Sequence, residues 1–163
     1  MTKKLKIAKI DDTLSQMRLI RPGQVALMQS SLEAVGQLQP VVVRSINGHY
    51  ELLDGFKRLY ASRLLKWDSL EVMVLEVDEI TGKALMLSYN QNNGNLLEWE
   101  EARILYSLKK DHSMSQRDIA SLVLRSHSWV CRRLSFIERL DEVVGDHLQM
   151  GKITPTHARE VVK

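Results

Sequence analysis

Three short stretches carry side chains suited to holding anions. In Leu53-Asp54-Gly55-Phe56-Lys57-Arg58-Leu59-Tyr60-Ala61, a strand runs into glycine, two basic residues follow and a helix begins. Glycine lets a ligand approach the backbone closely. A helix start presents unbonded N–H groups and the positive end of its dipole, and Lys57 and Arg58 add charge, so this is a phosphate-binding pattern. It is not a P-loop, because GxxxxGK[ST] occurs nowhere in the chain. The second stretch, Ser126-His127-Ser128-Trp129, opens a helix that carries Arg132 and Arg133 one turn on. Ser, His and Arg there can donate to phosphates or base edges. The third is Gly151-Lys152-Ile153-Thr154-Pro155-Thr156-His157-Ala158-Arg159, a capped helix start with proline at the first helical position. Lys152, Thr154 and His157 could hold a phosphate there or simply cap the helix. The single cysteine, Cys131, lies in a helical context and reads as a packing residue, and no disulfide can form within the chain. No catalytic residue and no metal-ligand cluster is expected.

The elements that must position these residues change character along the chain. From Pro22 to Gly36, Val25, Met28, Leu32 and Val35 recur at helical spacing, and Gly36 stops the helix. Pro40 to Arg44 and His49 to Leu53, joined at Asn47-Gly48, predict a β-hairpin. Lys57 to Lys66 reads as helix and Glu71 to Val77 as strand. Thr81 is expected to cap a helix leading to Asn90-Gln91-Asn92-Asn93-Gly94-Asn95, a loop or domain boundary by composition. Beyond Leu97 the strand signals stop. Glu98 to Lys109 is amphipathic, with Trp99, Ala102, Leu105 and Leu108 on one side, and short helices follow. Ser115 should cap a helix beginning Gln116-Arg117-Asp118, and Ser126 a second one. Two helices joined by so tight a turn make a helix-turn-helix, whose second helix enters the major groove by its N-terminus. The turn position often occupied by glycine is Leu124, which can reach the left-handed conformation at a cost of about 1–2 kcal/mol.

Bulk properties agree with a double-stranded DNA partner without requiring it. The 163 residues carry a net charge of +3, with 44% apolar and 26% charged residues. Arg117, Arg125, Arg132, Arg133 and Arg139 cluster against only Asp118 and Glu138. No apolar run approaches the ~18 residues of a membrane helix, and no signal peptide is evident, so a cytoplasmic setting without membrane contact is expected.

The order of the motifs resembles the ParB/Noc-like partition-protein family. Gly36-Gln37-Leu38-Gln39-Pro40-Val41-Val42-Val43-Arg44 resembles the first box of that family, and Gly55 to Ala61 is similar to its GERRxxA box. Asn90 to Asn93 stands where the family has ENxxR, followed by the helix-turn-helix and the GKIT-x-x-HAR stretch. The fold class implied is α+β: a small ParB/sulfiredoxin-like α/β domain over residues 1–94, then an all-α helix-turn-helix domain over 95–163, without the family's C-terminal dimerisation domain. The resemblance implies CTP, with Mg2+, held by Gly36, Gln39, Pro40, Gly55, Phe56, Lys57, Arg58, Ala61, Asn90 and Asn93. It implies DNA contacts from Ser115, Gln116, Arg125, Ser126, His127, Ser128, Trp129, Arg132, Arg133, Lys152, Thr154 and His157. It also implies a nucleotide-closed homodimer and a ParA-like ATPase partner. The family's second box has Glu and Arg where this chain has Phe56 and Lys57, and its third has Glu and Arg where this chain has Tyr89 and Asn93. Lysine cannot supply the bidentate fork of arginine. Nucleotide binding is therefore expected ahead of turnover, and a CTPase activity stays open although the third box is degenerate. Two other readings remain open: a repressor or adaptor with a decayed nucleotide pocket, and an enzyme using Asp54 or Glu51 beside the phosphates.

Overall fold

The computed structural model describes residues 1–91 and 96–162. By internal packing it divides into two units, Met1–Gly82 and Lys83–Lys163. The division falls within a helix, Glu79–Gln91.

The first unit is built on a five-stranded mixed sheet. Its strands are β1 (Thr2–Lys6), β2 (Ile10–Asp11), β3 (Val41–Ile46), β4 (His49–Asp54) and β5 (Ser69–Leu75), in spatial order β1-β5-β3-β4-β2. The expected hairpin is present: β3 and β4 pair antiparallel, with a register shift between Val42 and Val43, around a turn in which Asn47 and Gly48 both have positive φ. β3 also pairs with β5, in parallel. As the central strand it buries Val41, Val42 and Val43 together, which explains a continuous β-branched run instead of an alternating one. Helix α1 (Pro22–Val35) packs on α2 (Phe56–Leu64) through Val25, Leu32 and Ala61. Leu27 and Val35, also on α1, are exposed.

Helix α3 (Glu79–Gln91) is capped by Asp78 and not by Thr81: the Asp78 carboxylate accepts the Thr81 N–H at 2.7 Å. An aspartate just before the helix outcompetes a threonine already inside its first turn.

The second unit is all-helical. It comprises α4 (Glu98–Asp111), α5 (Gln116–Leu122), α6 (His127–Arg139), α7 (Glu142–Gln149) and α8 (Pro155–Val161). Trp99, Ala102, Leu105 and Leu108 of α4 are buried as their spacing predicts, as are Ile119, Val130 and Leu134 of α5 and α6, which pack against α4. Both serine caps form: Ser115 Oγ accepts the Asp118 N–H at 3.1 Å, and Ser126 Oγ accepts the Trp129 N–H at 3.2 Å.

The α5–α6 turn is a Schellman motif. Arg125 N–H bonds Ala120 O at 3.0 Å and Leu124 N–H bonds Ser121 O at 3.4 Å. Leu124 sits at the left-handed position with φ +54°. Its side chain is 89% exposed, so it recovers nothing by burial for that strain.

Lys83 is buried and donates to Asp111 at 3.2 Å. The Ser107 hydroxyl also donates to Asp111 and holds its carboxyl below the usual range, with Lys83 reinforcing the effect against burial. A depressed folded pKa contributes stability above the unfolded value and loses it as the pH falls through the folded one.

Two outcomes are expected in denaturant titrations. Leu124→Gly should stabilise the protein by about 1 kcal/mol, since glycine adopts positive φ without a Cβ penalty. Asp111→Asn should lower the unfolding midpoint near neutral pH, and its difference from wild type should shrink below pH about 4. A constant difference across that range would remove the carboxylate's charge from the account.

Candidate nucleotide and DNA sites

Gly55 joins β4 to α2 with φ +99°, in the left-handed region. A Cβ built there would lie 2.6 Å from Val41 Cγ1, so the backbone is pressed directly onto the first residue of β3. Among the described residues no side chain caps α2. The N–H groups of Phe56, Lys57 and Arg58 occupy the first turn, where a helix has no internal acceptor for them.

The loop from Gly36 to Pro40 is held beside this helix start by two side chains. Arg58 Nη1 donates to Gln39 O at 2.8 Å and to Pro40 O at 2.6 Å, while its Nη2 pairs with Asp54 at 3.2 Å. Nε and one Nη2 proton remain for other acceptors. Gln37 supplies the second anchor. Its amide bonds the Glu71 peptide in both directions, Nε2 to Glu71 O and Glu71 N–H to Oε1, each at 2.8 Å. Nε2 also reaches Gln39 O at 3.0 Å. Gln37 thus extends the sheet from a loop, a role that residue type and spacing do not signal. The partner peptide lies 34 positions away in sequence.

The structure therefore brings Gly36, Gln39, Pro40, Gly55, Lys57 and Arg58 to one edge of the first unit. Lys57 is half-buried and has no side-chain partner among the described residues. Phe56 and Ala61, expected in the cradle, point inward. Phe56 lies under the Arg18 guanidinium, 5.7 Å from the ring centroid, and Ala61 packs α2 on α1. Both side chains are buried. Asn90 is buried in α3 and donates to Met86 O at 2.7 Å. Asn93 lies outside the described residues.

In the second unit, Ser126, His127 and Ser128 are exposed at the start of α6. Trp129 is half-buried between two guanidiniums, with Arg125 at 5.4 Å and Arg133 at 4.6 Å from its ring. The two adjacent arginines part company. Arg133 turns back to α4, bonding Glu101 at 3.0 Å and approaching Glu98 at 3.8 Å, so it braces the helix-turn-helix. Arg132 faces solvent. Ser115 is spent on its cap and on Asp118 Oδ2, at 2.6 Å. Gln116 accepts the Cys131 thiol proton at 2.8 Å and ties α5 to α6. Arg125 donates to Gln91 at 2.8 Å. At α8, Thr154 Oγ1 accepts the His157 N–H at 3.3 Å, and Thr154 N–H lies 3.4 Å from His157 Nδ1. That helix start is closed by its own residues, and Lys152 beside it is exposed with no side-chain partner among the described residues. Among the described residues no helix is long and apolar enough to cross a membrane.

Residues 1–91 match the family described as ParB N-terminal domain. The chain belongs to the ParB N-terminal domain family. It is similar to the probable chromosome-partitioning protein ParB of Helicobacter pylori, 30% identical over 135 residues, covering 83% of this chain and 46% of that protein. The Deinococcus radiodurans probable chromosome 1-partitioning protein ParB is 30% identical over 159 residues, covering 97% and 54%. A nucleoid occlusion protein of Halalkalibacterium halodurans is 27% identical, over 83% and 47% of the two chains. The chain thus spans about half the length of the ParB relatives it matches.

Among solved structures, the C-terminally truncated ParB of Caulobacter crescentus matches twice. It superposes as its CTP-γ-S complex with TM-score 0.53, covering 99% of this chain and 92% of that one. As its complex with the centromeric parS site it superposes with TM-score 0.55, covering 98% and 84%. Identity is 24% in both cases, so these matches establish the ParB fold. A Pnob8-like ParB-N domain superposes at TM-score 0.63 with 15% identity, covering 97% and 77%.

The Gly55 contact leads to a direct expectation. Gly55→Ala combines left-handed strain with a clash on Val41 and should cost about 2–4 kcal/mol of stability in urea unfolding. A loss below about 1 kcal/mol would mean that β3 yields to the added carbon.

Proposed function

We propose that this chain is a ParB-like, sequence-specific DNA-binding protein whose hold on DNA is regulated by a nucleotide, CTP, in partition or gene control. The observation that carries the reading is the uncapped start of α2, joined through Arg58 to the loop holding Gln39 and Pro40. Backbone N–H groups and Lys57 would take the phosphates, while the loop from Gly36 to Pro40 would face base or ribose. One relative, the Caulobacter crescentus ParB, solved in complex with CTP-γ-S and in complex with parS, supports the choice of partners. The residues fit phosphates better than a metal. The nearest carboxylates are engaged, Asp54 with Arg58 and Glu51 with Arg44, so Mg2+ would rest on the phosphates and water. Binding without turnover is the reading that follows.

The duplex would meet His127, Ser128 and Arg132 at the start of α6, with Trp129 and Arg125 behind them and Lys152 at the backbone. Arg133 and Gln116 would act by holding α6 in place. We further propose a division of labour between residues 1–94 and 95–163, a homodimer closed by nucleotide, and a ParA-like ATPase partner.

A second reading, a repressor whose nucleotide pocket has decayed, is favoured by Phe56 standing where the family box has Glu and by Arg58 being engaged within the protein. Melting scans with each of the four ribonucleoside triphosphates separate the two. CTP should raise the melting temperature, and no shift with any of them would leave the second reading. Arg58→Ala should abolish that shift while DNA affinity without nucleotide stays near wild type. His127→Ala combined with Arg132→Ala should weaken DNA binding and flatten the salt dependence by about one unit of slope or more, read from titrations at several ionic strengths. An unchanged slope would place the duplex elsewhere.

A further inference from the structure

Between α6 and α8 lies a cavity of about 460 Å3 that neither proposed site accounts for. Its size falls within the roughly 300–1,000 Å3 of small-molecule sites. Cys131 and Phe136 of α6 and Val162 beside α8 form an apolar wall, and Arg132, Arg139 and Arg159 stand around it. Glu98 is its one acid, and that charge is neutralised from two sides, by an ion pair with Arg159 and by Arg133 at 3.8 Å. Arg132 and Arg139 have no hydrogen-bond or ion-pair partner among the described residues.

Two uncommitted guanidiniums over an apolar floor make a receptor for an anion with an apolar body. The planar fork of arginine takes a carboxylate in a bidentate pair, and the floor takes a ring or alkyl chain out of water. A DNA backbone supplies the anion but has no apolar body to fill the space lined by Cys131, Phe136 and Val162. We infer that this cavity binds a small aromatic or aliphatic carboxylate. Because Arg132 also belongs to the proposed DNA face, an occupied cavity competes with DNA for that side chain. This competition rests on the DNA-binding reading, whereas binding in the cavity does not.

Cys131 is the chain's single cysteine and stands in the cavity wall, so its accessibility reports occupancy. The probe is the neutral disulfide 4,4′-dithiodipyridine. The Cys131 thiolate attacks one sulfur, the reagent's S–S bond breaks, a mixed disulfide forms, and the released thiolate takes a proton to become thiopyridone, which is read by absorbance. 4-Nitrobenzoate and octanoate, which cannot react, should slow labelling saturably, by about tenfold at full occupancy, because thiol exchange requires access to the sulfur. The uncharged 4-nitrobenzamide should not slow it. Arg139→Gln, with an unchanged melting temperature, should lose the protection while its unprotected labelling rate stays within about twofold. Should that variant fail to fold, Arg139→Lys serves, retaining charge but losing the bidentate fork and most of the protection.

Absence of protection by either carboxylate, equal protection by the amide, or protection retained in the Arg139 variant would each overturn the inference. In a second arm, 4-nitrobenzoate should weaken DNA binding by the wild type and not by Arg139→Gln. Protection without any change in DNA affinity would keep the cavity and overturn the competition. A protein that binds no DNA at all would remove the proposed function, and labelling would still decide the cavity.

Discussion

The first unit depends on one close approach, the backbone of Gly55 against Val41. Only a residue without Cβ lets β4 end, reverse into the left-handed region and start a helix while lying on the central strand. That contact sets where α2 begins, and so where three backbone N–H groups point. It also places Arg58 one turn in, within reach of the carbonyls of Gln39 and Pro40. Among the described residues no side chain caps that helix start.

The second unit treats its helix starts differently. Ser115, Ser126 and Thr154 each accept a backbone N–H. What distinguishes α6 is therefore not its N–H groups but the exposed side chains at its start and the rigidity behind them. Arg133 paired with α4, Gln116 bonded to Cys131, and Trp129 held between two guanidiniums fix the angle of α6 without occupying its outer face. Ion pairs that are partly buried serve here as geometric braces, which is how such pairs are best interpreted when their net energy is small.

Arg58 and Arg133 each have partners within the protein. Both are cations in stretches whose composition points to anion binding; Arg58 gives three of its donors to the protein itself, and Arg133 gives its Nε to Glu101. The charge left uncommitted belongs to their neighbours, Lys57 and Arg132. Adjacent residues on a helix face directions about 100° apart, so one of a basic pair commonly turns to a neighbouring element while the other meets solvent.

Much was readable from the chain alone because the signals are local. Asn47-Gly48 between β-branched runs, Ser caps three residues before the N–H groups that donate to them, Pro155 after Thr154, and Leu124 in a tight turn each follow from covalent geometry and neighbours a few positions away. The order of the boxes identified the family for the same reason. Tertiary structure alone decided which of these residues were free to act. Asp78 displaced Thr81 as a cap, Phe56 and Ala61 turned inward, Gln37 found the Glu71 peptide, and Arg133 found α4. Each of those outcomes joins groups distant along the chain or sets one face of a helix against another, and such pairings are made by packing, which periodicity and propensity do not encode.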